Sequence, residues 1–105
     1  MAQYDVYPNP GMRSRGWVPY GVDVQSGLLS GLRTRLVMPL TRAAVDLPQP
    51  PRLLAPIFKV AGGRPALQPQ TTAGLDAELR RGTIALLSVH AGAIRAALDA
   101  VISGL

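Results

Sequence analysis

Cysteine is absent from the 105 residues, which excludes disulfides, thiolate metal sites and cysteine nucleophiles together. Histidine occurs once, as His90. Ser88 and His90 stand two apart and so face different sides of a helix, which rules them out as a nucleophile–base pair. Asp76, Glu78 and Asp99 are scattered and give no metal-ligand spacing. No metal and no cofactor are expected. A phosphate-cradling glycine motif is missing too; Gly62-Gly63 reads as a hairpin turn. Aromatics are limited to Trp17, Phe58 and three tyrosines. A core must therefore come mainly from Leu, Val, Ile and Ala, the larger of which contribute roughly 1.5–3 kcal/mol each when buried. No apolar run approaches the roughly 20 residues of a membrane span. The opening Met1-Ala2-Gln3-Tyr4-Asp5 has no basic segment followed by an apolar one. A soluble, cytoplasmic protein is expected.

Glycine and proline, by contrast, are abundant: eleven and ten residues. Only the stretch after Pro69 is free of proline, so short strands and turns should come first and a helix last. An apolar fraction of 48% with 16% charged residues fits one folded domain over residues 1–105. The net charge is +5, and ten of the eleven basic residues are arginine. That balance favours an acidic partner, either nucleic acid or an acidic protein segment, although scattered arginines also suit a solvated face.

Along the chain, Gln3 to Tyr7 alternates polar and apolar residues and predicts a first strand, stopped by Pro8-Asn9-Pro10-Gly11. Met12 to Gly16 is a polar, basic loop. Trp17 to Val24 predicts a second strand, with Val18, Tyr20, Val22 and Val24 on one face and Pro19 placing its first half at a sheet edge. Gln25 to Thr34 predicts a loop or short bulged strand, Arg35 to Leu40 a third strand, and Arg42 to Pro56 an irregular stretch. Ile57 to Val60 and Ala66 to Gln68 pair as short strands, and Thr71 to Leu75 extends the sheet. Leu79 to Arg81 is a short segment ended by Gly82. Ile84, Leu87, Ala91, Ile94, Leu98 and Val101 form a helical stripe. Ile84 to Leu87 is expected to be partly extended, with the helix proper from Ser88, a candidate N-cap, to about Ile102; Gly104 terminates it.

Two kinds of chemistry remain open. Metal-free ribonuclease chemistry needs an arginine to stabilise a phosphorane, and Arg33, Arg35 or Arg13 offer one, assisted by Asp23 or Thr34. An interface is the other. Leu28 and Leu29 are adjacent, so in an extended segment only one faces a core, and Ile102 and Leu105 lie at or beyond the last helical turn.

Val22-Asp23-Val24-Gln25-Ser26, followed by Arg35-Leu36-Val37-Met38-Pro39-Leu40, resembles the VDVQS…RMVIPL core of the CcdB toxins. Tyr4 to Tyr7, Leu54 to Val60, Thr71-Thr72, Ile94 to Asp99 and Gly104-Leu105 follow in the same order. The resemblance implies a mainly β fold: a small, partly open β-barrel of the CcdB/MazF kind with a small extra sheet and a C-terminal α-helix. It further implies a homodimer acting as the toxin of a toxin–antitoxin pair, a poison rather than an enzyme. Family members enter the gap between the two A subunits of open DNA gyrase and trap the cleaved-DNA complex. A CcdA-type antitoxin neutralises them with a disordered tail. Neither sequence-specific nucleic-acid binding nor a membrane is implied. Shared kinship with MazF/Kid endoribonucleases keeps the ribonuclease alternative, and a non-toxic dimeric scaffold is a third.

Carried over by position, the gyrase-facing set is Ser26, Leu28 and Leu29 from the loop and Asp99, Ser103, Gly104 and Leu105 from the end of the helix. The departure is at Ser103, where the best-known members carry the tryptophan of a Trp-Gly-Ile ending. An aromatic hot spot contributes about 2–4 kcal/mol, so a serine there is expected to weaken binding roughly 30- to 1,000-fold per site.

Overall fold

The computed structural model describes residues 3–11, 13–29, 31–42, 55–76 and 82–103. Among these residues six strands run in chain order: β1 (Asp5–Pro8), β2 (Tyr20–Asp23), β3 (Thr34–Thr41), β4 (Ala66–Leu67), β5 (Ala73–Asp76) and β6 (Ala85–Leu86), followed by the helix α1 (Ala91–Ser103). All strand pairs are antiparallel, in the order β4-β3-β2-β1-β6, and the sheet curls into an open half-barrel. β3 is the trunk. Its first half, Thr34 to Val37, pairs β5, and its end, Leu40 and Thr41, pairs β4, so the sheet branches there. The fold is the mainly β class with a C-terminal helix that the resemblance implied.

Alternation decides the faces. Val6, Val22 and Met38 lie in register across β1, β2 and β3 and are fully buried. With Leu40, Leu67, Phe58 and Val60 they make the core, closed from the other side by Leu87, Ile94 and Ala97. Tyr20 and Val24 pack against it, as the pattern of β2 predicts. The opposite face carries Asp5, Tyr7, Gly21, Asp23, Arg35 and Val37. The hairpin after Phe58 turns through Ala61 and Gly62, whose φ of 84° suits a residue without a Cβ.

Several boundaries move, each for a local reason. β1 starts at Asp5 rather than Gln3 because Tyr4 holds a left-handed φ of 72°. β2 starts at Tyr20 and lies inside the sheet between β1 and β3; Pro19 stands just before it, so its missing donor costs no ladder bond. β3 continues through Pro39 because that residue falls between the stretches paired with β5 and with β4. The irregular stretch expected from Arg42 to Pro56 falls mostly in residues 43–54, outside the described ones, as does the segment Leu79 to Arg81.

At the end of the chain, Ala85 and Leu86 are extended, as expected. Ser88–His90 form a 3-10 turn, and α1 starts only at Ala91. Ser88 is not a side-chain cap: its backbone carbonyl accepts from the Ala91 N–H. The stripe holds at Leu87, Ala91, Ile94 and Leu98, which lie in or against the core, and departs at its end, where Val101 is exposed. The helix begins at Ala91 rather than at Ser88, and the small alanines Ala97 and Ala100 are buried beside Ile94.

Gly92 lies on the exposed side of α1, and a Cβ there meets nothing within 4 Å. Gly92→Ala should raise stability by about 0.5–1 kcal/mol, measured as a shift of the urea midpoint at unchanged slope.

Candidate interaction site

Asp23 closes β2 and Arg35 stands near the start of β3, on the face turned away from the core. Both side chains are buried, at 0% and 3% exposure. The guanidinium grips the carboxylate twice: Arg35 Nε donates to Asp23 Oδ2 at 2.7 Å and Nη2 to Oδ1 at 2.9 Å. Hydrogen bonding to Asp23 raises the Arg35 pKa above its ordinary value, against the opposing effect of desolvation. Raised in the folded state, it contributes stability below the ordinary arginine pKa and loses it only above the folded one. Arg35 therefore stays charged through neutral pH.

The segment that follows hangs from this pair. Asp23 Oδ1 also accepts the Gln25 N–H at 3.0 Å, an Asx turn that reverses the chain after β2. Ser26 caps the next bend: its hydroxyl accepts from the Leu28 N–H at 3.2 Å and its carbonyl from the Leu29 N–H. Gly27–Leu29 then forms one 3-10 turn. Neither leucine enters the core. Leu28 is 95% exposed and Leu29 50%, so the segment presents both apolar side chains as a loop instead of turning one of them inward as an extended segment would. A tight turn, unlike a strand, directs both outward.

The second part of the predicted site lies on α1. Asp99 and Ser103 are exposed, and the Ser103 hydroxyl donates to the Asp99 carbonyl at 2.6 Å, one turn earlier. Ile102 is 75% exposed beside them. Gly104 and Leu105 lie outside the described residues. Ser26, Leu28 and Leu29 share one turn; Asp99 and Ser103 share another element, whose main neighbours are the Pro69–Thr71 and Ser88–His90 turns. Within one chain the two halves are not packed together.

The residues singled out for ribonuclease chemistry do not converge either. Arg35 and Asp23 are buried and engaged with each other. Arg33 and Thr34 are exposed at the start of β3, while Arg13 belongs to the β1–β2 loop at the other end of the sheet. His90 is exposed, with its ring 5.0 Å from that of Phe58. Among the described residues no group of three His, Cys, Asp or Glu is placed to hold a metal, and no helix is long and apolar enough to cross a membrane.

One surface was not foreseen. A groove of about 290 Å³ is walled by Tyr7, Val18, Tyr20, Val37, Pro39 and Leu75; of these, Tyr7, Val37 and Pro39 lie on the face opposite the core. Gly21 forms part of it, and a Cβ there would come within 2.5 Å of Val37. The β1–β2 loop borders the groove and is knitted by Asn9, whose amide donates to Ser14 Oγ and to the Val18 carbonyl. Exposed Arg13 and Arg15 lie in this loop, and Arg42 joins it by donating to the Gly16 carbonyl at 2.7 Å. Arg42 and Arg64 face a neighbouring hollow that shares Tyr20 with the groove. The strand register brings Tyr7, Gly21, Val37 and Pro39 together, which alternation within single strands does not show.

The CcdB protein family model matches residues 3–104, nearly the whole chain. No curated protein gives a significant match.

Removing one partner of the Asp23–Arg35 pair strands the other charge. Asp23→Asn should lower unfolding stability by about 3–5 kcal/mol, whereas Asp23→Leu combined with Arg35→Met should recover most of that loss. Urea unfolding of these variants beside the wild type reads both effects.

Proposed function

A match of that extent makes the chain a member of the CcdB family, and from that premise we propose that it is a toxin that poisons DNA gyrase and is neutralised by a CcdA-type antitoxin. Family membership supports a role as the toxin of a toxin–antitoxin pair. The observation that carries the gyrase reading is the turn at Leu28 and Leu29: two large apolar side chains held in solvent by a backbone that is hydrogen-bonded around them. Holding apolar groups in water is unfavourable for an isolated chain and favourable only when a partner covers them. Ser26, Leu28 and Leu29 contact the gyrase A subunit in this reading, together with Asp99, Ser103, Gly104 and Leu105.

The protein acts as a homodimer. Val101 and Ile102, 40% and 75% exposed, give the end of α1 an apolar strip for the second copy to cover. Dimerisation also supplies what one chain lacks, because a second copy can bring its helix end to the Leu28–Leu29 turn. Trapping then works by wedging: the dimer fills the opened A-subunit gap and prevents religation of the cleaved DNA.

The antitoxin takes the other end of the sheet. The apolar groove suits one or two side chains of an extended segment, and Arg13, Arg15, Arg42 and Arg64 suit the carboxylates of an acidic tail. Fold-on-binding of such a tail is steered by opposite charge and weakened by salt.

Purified protein with its host's gyrase, plasmid and ATP should accumulate linear, cleaved DNA. Leu28→Asp should lower the potency at least tenfold, consistent with loss of about 1.4 kcal/mol or more. No cleavage at any toxin concentration overturns the gyrase reading. Ser103→Trp should raise the potency, by up to the roughly 30- to 1,000-fold that an aromatic anchor contributes. Binding of an acidic antitoxin peptide, followed by titration calorimetry, should weaken on Arg42→Glu and with added salt.

A further inference from the structure

Gln25 is buried at 7% exposure although it lies on no strand or helix. Its side-chain and backbone polar groups are all engaged. The side-chain amide donates to the Leu29 carbonyl at 2.9 Å, and the side-chain oxygen accepts the Leu36 N–H at 2.9 Å. The backbone N–H goes to Asp23 Oδ1, and the carbonyl accepts from Arg35 Nη2 at 3.4 Å. One side chain thus bridges the end of the exposed turn to the body of β3.

We infer that Gln25 is the positioning residue of the Leu28–Leu29 turn, setting how those leucines are presented to the partner without touching it. A single 3-10 turn has weak internal bonding and does not persist alone. Leu28 makes no side-chain packing that would hold it, being 95% exposed. Gly27 and Gly31 flank the leucines in open space and add freedom on both sides. Among the described hydrogen bonds, the turn's only side-chain tether to β3 is therefore the Gln25 carboxamide. The tether needs a donor and an acceptor on one short planar group, which Gln supplies and Glu does not.

The inference rests on the proposed contact of this turn with gyrase, but the tether has its own readout. Arg33 is exposed four residues beyond Leu29 and is followed by Thr34, which makes it a trypsin site. Arg15, exposed in the β1–β2 loop and followed by Gly16, is a second site at the far end of the sheet. Gln25→Met keeps the length and removes both hydrogen bonds. It should speed cleavage after Arg33 roughly tenfold by local opening, with cleavage after Arg15 unchanged. Hydrogen exchange separates the two bonds. Protection of the Leu36 amide should be lost in Gln25→Met and kept in Gln25→Glu, which retains the acceptor, while both variants speed cleavage after Arg33. Gyrase-poisoning potency should fall in both, and affinity for an acidic antitoxin peptide should stay unchanged. Equal cleavage after Arg33 in the wild type and Gln25→Met, or equal acceleration at Arg33 and Arg15, overturns the tether. Selective acceleration at Arg33, in a protein whose wild type never poisons gyrase, keeps the tether and overturns the gyrase reading alone.

Discussion

The Asp23–Arg35 ion pair joins the last residue of β2 to the second of β3 on the side of the sheet that has no core of its own. Burying two charges costs several kcal/mol each, and only good geometry offsets it. Here the guanidinium meets the carboxylate with two parallel bonds, and one carboxylate oxygen also receives the Gln25 N–H. The pair thereby does more than close a hairpin. It sets the direction in which the chain leaves β2, and Gln25 and the Leu28–Leu29 turn take their places from that direction. A pair of well-packed apolar residues would hold the strands equally well and leave the turn without its anchor.

The two ends of the sheet differ in chemistry. At one end, where β2 finishes and β3 begins, the surface is apolar and the backbone is tied tightly. At the other, arginines gather beside a groove lined by Tyr7, Tyr20 and Pro39. In the proposed reading, target and antitoxin take opposite ends. Neutralisation then follows from wrapping or from a conformational effect carried through the strands between them, rather than from competition for one patch.

Much of the core was legible from alternation. Val22 and Val24 point as the pattern of β2 requires, and the Ile57–Val60 hairpin closes where the glycines place it. The helix was legible as a helix, and so was the extended stretch before it, where the sheet claims the backbone of β6. Ala91, Ile94 and Leu98 of the stripe pack in or against the core as the spacing requires, but Val101 is exposed and Ala100 is buried instead. Pro19 misled: it read as placing the first half of its strand at a sheet edge, but it lies just outside a strand that runs inside the sheet.

The composition and spacing by themselves determined the class of the protein: strands first, one helix last, no thiol chemistry, and a net basic charge. They also marked Leu28 and Leu29 as residues a core does not need. Only the tertiary structure decided that both are exposed, that Asp23 and Arg35 are a buried pair, and that Gln25 ties the turn to β3. The reason is physical. Periodicity records which face a side chain takes along its own element, whereas an ion pair or a tether depends on strand register, which sets residues eleven or twelve apart in contact.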